Sequence, residues 1–368
     1  MTSPIAFLEG MDVEGENKNT KDTAAVKETT SSEPIIKASM SSDGLSFETE
    51  DLVKQASKVK ISNSTISSVL KCPGRFAAEK WVMPKIIDPL SPLVRGQAFH
   101  KVMEIYFNYA PKDRTAESIK TAYRDALMND DDFRELRKDK ESRAWVRHAV
   151  NGYWRLHMED PTKVHVAQLE RKTRNGKPYL KAGIELFVEG HIGNAKRSSL
   201  GFIDRLLLDD SNGKYIIDDW KTNKRVKEYR PDKQKYPDFG YVRQQVMYAM
   251  FLEQEGLDVE TARLIYPLAE YDDLDTGSHT KGGHVSIIDI HNPEYRKKVV
   301  DDVETADRIL ESSNNENKWE CIGSPLCSWC PFVNICPAAL RLPGDKFVKA
   351  RADQPTAEDL KKDGIVEA

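Results

Sequence analysis

No stretch of this 368-residue chain approaches the roughly 18 consecutive apolar residues of a membrane-spanning helix, so a helical membrane protein is not expected. The opening residues, MTSPIAFLEGMDVEGENKNT, lack both a basic start and an apolar block, so no export signal is read. There is no G-x4-G-K-[ST] loop to cradle nucleotide phosphates, and no internal repeat. Cysteine is scarce and odd in number, five in all, with four crowded toward the C-terminus. Without an export signal, that distribution excludes a disulfide framework and points to metal binding. A dominant charge sign is also lacking: 55 Lys and Arg face 59 Asp and Glu, a net charge of -4. Residues 1–57 carry -6 of this and the remainder +2, which argues neither for nor against a nucleic-acid partner.

What is present falls into three parts. Residues 1–57 are rich in Ser, Thr, Glu and Lys and show no sustained period, which predicts a disordered acidic arm. Order is expected from residue 58 to 342. SNSTISSVLKCP reads as a short helix capped by Ser62 or Ser64 and ended by Pro73. RGQAFHKVMEIYFNYA reads as a second helix closed by Pro111, and about 110–160 as a helical insertion carrying Trp145, Val146, Ala149, Val150, Tyr153 and Trp154 at helical spacing. From Pro161 the texture changes to strands, with a hairpin loop in DDSNGK. A helix over DFGYVRQQVMYAMFLEQEG, strands in ETARLIYPL and HVSIIDIH, and a further helix precede the cysteines at 321–337. The charged residues 343–368 read as a mobile tail.

The segment GFIDRLLLDDSNGKYIIDDWKTNK carries the chemistry. Strand side chains alternate faces, so Asp219 and Lys221 share one face, with Asp218 and Trp220 on the other. Asp204, on the preceding strand, is close enough across a hairpin to converge with them. Two carboxylates and an ammonium suit phosphodiester hydrolysis. The acids hold a hard cation such as Mg²⁺, and the lysine orients water or neutralises phosphate. A charged hairpin facing water is the bland alternative, but Ile216, Ile217, Phe202, Ile203 and Leu206 make the setting apolar. His100, one helical turn after Gly96, can offer a ring nitrogen to the same metal. Glu185 is a possible further acid, although an exposed strand glutamate is the commoner outcome. Gln244 and Tyr248, four apart on one helix, project together, with Gln245 about 100° away.

GSPLCSWCPFVNICPA sets Cys327, Cys330 and Cys336 in a C-x2-C-x5-C spacing suited to one metal or cluster. Four ligands are normally needed, and Cys72 is favoured over Cys321 as the fourth. Spacing alone does not separate zinc from a 4Fe-4S cluster.

Taken in order, these motifs resemble the RecB-like branch of the PD-(D/E)XK nucleases, especially the iron–sulfur exonucleases of the CRISPR-adaptation family and the AddB nuclease domain. The resemblance runs over about residues 60–340. It implies an α/β fold with a restriction-endonuclease-like core, a central mixed sheet flanked by helices and stapled by the cluster. It gives Cys72, Cys327, Cys330 and Cys336 as cluster ligands; His100, Asp204 and Asp219 as Mg²⁺ or Mn²⁺ ligands; and Asp204, Asp219, Lys221, Gln244 and Tyr248 as catalytic residues. It implies an exonuclease favouring single-stranded DNA or ends, acting in recombination, repair or replication, in the cytoplasm of a bacterial or phage-infected cell. Unwinding would require a helicase or recombination partner. A DNA-binding scaffold that no longer cuts, with a structural cluster or zinc, is the competing expectation.

Overall fold

The structure is a computed structural model and describes residues 38–41, 44–47, 57–82, 87–156, 164–172, 175–226, 239–272, 279–281, 283–330 and 332–342, with 356, 358, 366 and 367 near the C-terminus. In chain order the elements are β1 (Ala38–Ser41), β2 (Gly44–Phe47), α1 (Asn63–Lys71), α2 (Pro73–Ala77), α3 (Pro92–Asn108), α4 (Ala116–Asn129), α5 (Arg134–Lys138) and α6 (Lys140–Arg155). There follow β3 (Val164–Val166), β4 (Gln168–Lys172), β5 (Pro178–Ala182), β6 (Ile184–Gly190), β7 (Ser199–Asp209), β8 (Lys214–Trp220) and α7 (Gly240–Gln254). The last are β9 (Val259–Tyr266), β10 (Glu270–Asp272), β11 (His279–Lys281), β12 (His284–Ile288), α8 (Pro293–Glu316), α9 (Pro337–Leu340) and β13 (Val366–Glu367). Two compact units divide the described residues, one holding 87–190 with 201–297, the other 38–82, 191–200 and 298–367.

The first unit is built on a mixed sheet of order β12-β9-β8-β7-β3, with β6 also pairing β7. β7 and β8 form the expected hairpin, registered Arg205 to Asp218 and Asp209 to Lys214, and Gly213 at its tip adopts the left-handed φ of +72° that glycine tolerates. α7 carries the chain from β8 to β9, which pair in parallel. α3 starts at a Ser91 cap with Pro92 in its first turn, where the missing N–H costs nothing. Its buried stripe runs Val94, Ala98, Phe99, Val102, Met103, Tyr106 and Phe107. α4 begins with a reciprocal capping box between Thr115 and Ser118, and α6 with Asp139 accepting from Ser142 N at 2.7 Å. These helices bury Ile119, Leu127, Val146, Val150 and Tyr153 in one core with Phe107 and Trp220. Each such large apolar side chain contributes roughly 1.5–3 kcal/mol. Trp220 stacks on Phe107 at 5.9 Å and meets Phe99 and Tyr153 edge-on, which anchors the end of β8.

In the second unit, β1 and β2 form a hairpin, and Leu45 bridges to Trp319. Phe47 packs edge-on against Trp81 and Trp319. This corrects the expectation of a wholly disordered arm over 1–57: Leu45 and Phe47 are buried because aromatic partners distant in sequence supply the apolar surface that the segment itself lacks. The rest of that arm, residues 1–37 and 48–56, lies outside the described residues. In the segment read as a mobile tail, Val366 and Glu367 pair with Ala38 and Ser39, and most of the remainder lies outside the described residues. The first helix ends just before Pro73, as expected, and Pro73 has a second role. It opens α2 at its first position, so Cys72 closes one helix and caps the next.

Candidate active site

β6, β7 and β8 supply the acids, and α3 and α7 supply side chains facing them. Gly96 lets α3 approach closely: a Cβ there would stand 3.2 Å from Thr222 Oγ1. One turn on, His100 Nε2 lies 3.0 Å from the carbonyl oxygen of Trp220. A carbonyl can only accept, so Nε2 carries a proton and Nδ1 is turned toward the acids. Nδ1 is 3.5 Å from Asp204 Oδ1 and 3.9 Å from Glu185 Oε1. The same Trp220 donates its N–H to Asp204 Oδ2 at 2.7 Å. The backbone of one residue thus orients two potential ligands from outside the site. Ligand atoms of His100, Glu185 and Asp204 all lie within 4.8 Å of one another.

Glu185 is the residue that sequence reasoning undervalued. Its φ of +45° is a left-handed conformation in a non-glycine residue, a strain of about 1–3 kcal/mol that must be compensated by its surroundings. The signal in the sequence is slight, an acid alternating with apolar residues in GIELFVEG.

Asp219 is almost fully buried and faces Lys221, whose Nζ lies 2.5 Å from Asp219 Oδ2. Oδ2 accepts no well-formed hydrogen bond among the described residues. It stands outside the three-residue ligand group, so the structure gathers His100 with Asp204 and Glu185, and pairs Asp219 with the lysine. Lys221 Nζ donates to Gln244 Oε1 at 3.1 Å, and Gln244 Nε2 donates to Tyr248 OH at 3.0 Å. Gln245 is wholly buried and points elsewhere, so Gln244 is the glutamine at the site. Gly201 makes room for this chain, since a Cβ there would collide with the Tyr248 ring. Tyr241, absent from the expected set, lies under Lys221 Nζ at 4.6 Å from its ring centre.

The electrostatics match this geometry. Burial pushes His100 down, but the charge and hydrogen bond of Asp204, the hydrogen bond of Glu185 and the charge of Asp219 outweigh it and raise its pKa to about 10. Burial raises Asp219 to about 6, with Asp204 adding to the effect and Lys221 opposing it. Lys221 is driven down by burial yet raised overall by Asp219 and Asp204, so it stays an ammonium. Tyr248 is raised to about 12, chiefly by burial. On the other face of β8, Asp218 accepts from Arg205 and Arg263. Glu185, His100 and Lys221 line a cleft of about 810 Å³ together with Leu93, Phe133, Trp145 and Phe202, while Asp204 and Asp219 are buried behind it.

The sequence matches the PD-(D/E)XK nuclease superfamily over residues 60–337. The chain belongs to the PD-(D/E)XK nuclease superfamily. Its α/β architecture, a mixed sheet with helices, is consistent with that core. No curated protein matches the chain. A solved structure described as "Crystal structure of SSO0001" aligns at 15% identity over 78% of this chain and 96% of its own, with a TM-score of 0.27. Nucleases of this superfamily use divalent metals, and the residues present fit one: an imidazole nitrogen and two adjacent carboxylates, with the Lys221-paired Asp219 beside them, form a hard, anionic donor set. Among the described residues no helix is long and apolar enough to cross a membrane.

The second unit of this PD-(D/E)XK protein holds the cysteines. Cys72, Cys321, Cys327, Cys330 and Cys336 line one pocket. Cys72 Sγ accepts from Ile322 N at 3.3 Å and Arg75 N at 3.4 Å. The Cys321 thiol and these N–H groups hold Cys72 down at about 6 against the effect of burial, and Cys336 is lowered to about 6 in the same way. Cys330 is raised to about 12 by burial. Cys321, expected to be a bystander to the four ligands, lies beside Cys72 and Cys336, whose hydrogen bonds and charge raise its pKa. Five thiols around one pocket, two of them favoured as thiolates, fit a thiolate-held metal or cluster.

Proposed function

We propose that the chain is a Mg²⁺- or Mn²⁺-dependent deoxyribonuclease that removes nucleotides from single-stranded DNA or DNA ends in recombination, repair or replication. The observation that carries this reading is the convergence of His100 Nδ1, Glu185 and Asp204 beside the Asp219–Lys221 ion pair, in an open cleft of a PD-(D/E)XK protein. His100, Glu185 and Asp204 would hold the cation, with Asp219 Oδ2 offered alongside. A bound divalent cation lowers the pKa of its water and offsets charge developing on the phosphoryl group. Lys221, kept protonated by Asp219, acts as a donor that orients the attacking water or neutralises the scissile phosphate. Gln244 fixes the ammonium through Oε1, and Tyr248 fixes Gln244. The Trp220 backbone N–H and C=O hold Asp204 and His100 in place, and the carbonyl keeps the proton on Nε2 so that Nδ1 faces the metal site.

We further propose a 4Fe-4S cluster on Cys72, Cys327, Cys330 and Cys336 in the RecB-like manner, with zinc as the competitor; the thiols lining one pocket favour a thiolate-held group. Its role is structural, since it would join a residue near the start of the family match to three near its end. Unwinding is left to a helicase or recombination partner.

The test is digestion of single strands labelled at either terminus, with and without Mg²⁺ or Mn²⁺, beside Lys221→Ala. Metal-dependent release of mononucleotides by the wild type and loss of release in the variant are expected. Equal release by both proteins would remove the assignment, and a brown preparation containing iron would separate cluster from zinc.

A further inference from the structure

We propose that Phe187 and Phe202 form a stacking pad for unpaired nucleobases beside the acid cluster. Large apolar side chains exposed singly are ordinary. These two rings are 45% and 52% exposed and touch each other, with centres 5.4 Å apart and planes inclined at 60°. Phe187 lies two residues along β6 from Glu185, and Phe202 two residues along β7 from Asp204. With a side-chain period of two, each ring shares a strand face with one of the acids. Burial agrees: Ile184, Leu186 and Val188 on β6, and Gly201 and Ile203 on β7, turn to the opposite, covered side. Phe202 also lines the cleft that holds His100, Glu185 and Lys221.

Two residues of strand span about 6.6 Å, a step short enough for a phosphate at the acids to place a base of the same strand on the rings. The occupant is a nucleobase because the pad is continuous with a cation site that demands a phosphate beside it. Every base has a flat apolar face, so the contact tolerates any sequence. In a duplex those faces are covered by neighbouring pairs. The pad therefore selects single strands or frayed ends, which deepens the nuclease reading and rests on it.

The test separates binding from cutting. Binding of a fluorescent single strand is followed by anisotropy in Ca²⁺, for the wild type, Phe187→Ala/Phe202→Ala and Phe202→Tyr, using intact strands and strands made abasic near the end. Hydrolysis in Mn²⁺ is measured separately. Both side chains are about half exposed, so melting temperatures should not move. The double variant is expected to bind intact strands roughly tenfold more weakly. Abasic sites should weaken the wild type by a similar factor and the double variant no further, and Phe202→Tyr should bind as the wild type does. Unchanged binding by the double variant, or equal losses on intact and abasic strands, would overturn the pad. If the wild type binds in a pad-dependent manner but never hydrolyses, the nuclease reading fails alone; if it does not bind single strands, both fail.

Discussion

Asp218 and Asp219 are neighbours in β8 whose carboxylates face opposite sides of the sheet. Asp218 meets the guanidinium groups of Arg205 and Arg263, and Asp219 meets the ammonium of Lys221 beside the acid cluster. Arg205 is itself enclosed, donating to Tyr153 OH at 3.0 Å and lying over the Phe107 ring. The two acids therefore separate stability from chemistry. Asp218→Ala is expected to lower unfolding stability by about 3–5 kcal/mol, because it leaves buried cationic groups without their counter-charge. Asp219→Ala is expected to abolish hydrolysis while the fold survives. Denaturant unfolding and a nuclease assay on both variants check this; an inactive, fully stable Asp218→Ala would contradict it.

Cation affinity should depend on pH with a definite sign. In the metal-free protein His100 titrates at about 10, so at pH 7 Nδ1 carries a proton that an incoming cation must displace. Apparent affinity for Mn²⁺ should rise about tenfold per pH unit between pH 7 and 9, with one proton released per site. Below about pH 6, protonation of Asp219 should weaken binding further. Calorimetry in buffers of different ionisation enthalpy counts the released proton, and His100→Ala should remove it.

Period-two alternation is enough to place Asp219 with Lys221 and to turn Asp218 and Trp220 away, because both faces of β8 are committed. Glu185 is less legible. Its selection depends on the approach of α3 across the sheet and on a left-handed backbone that no local pattern announces. The position of Cys321 is hidden for a related reason: the turn that brings it between Cys72 and Cys336 is set by contacts such as Gly74 N to Glu320 O at 2.8 Å. The β1–β2 hairpin escapes notice because its apolar partners, Trp81 and Trp319, lie far along the chain.

The strain at Glu185 gives a paired prediction. Glu185→Gln and Glu185→Gly should both weaken Mn²⁺ binding. Only Glu185→Gly relieves the positive φ, and its metal-free melting temperature should match or exceed the wild type. A large drop in melting temperature for the glycine variant would show that the glutamate side chain holds the strand rather than straining it.

Gly201→Ala adds a methyl group against the Tyr248 ring. The ring must shift, carrying Gln244 and the Lys221 ammonium with it. A displacement of this kind costs on the order of 100-fold in kcat, with Mn²⁺ affinity unchanged because His100, Glu185 and Asp204 are not touched. Kinetics beside metal titration tests the separation.

Among the cysteines, Cys330→Ala should bleach any visible absorbance and lower stability by on the order of 4 kcal/mol, as the loss of a long-range cross-link does. Cys321→Ser should retain the colour, leaving four thiols for the cluster. A colourless Cys321→Ser protein would make Cys321 a ligand.

Cys72 caps two helices and also forms a wall of the thiol pocket, yet Cys327 follows it by 255 residues. During translation at roughly 5–20 residues per second, the first wall waits on the order of half a minute for the second. A chain halted midway leaves Cys72 uncovered and without the Cys321 thiol and the Ile322 N–H that lower its pKa, so incomplete copies differ chemically from finished ones.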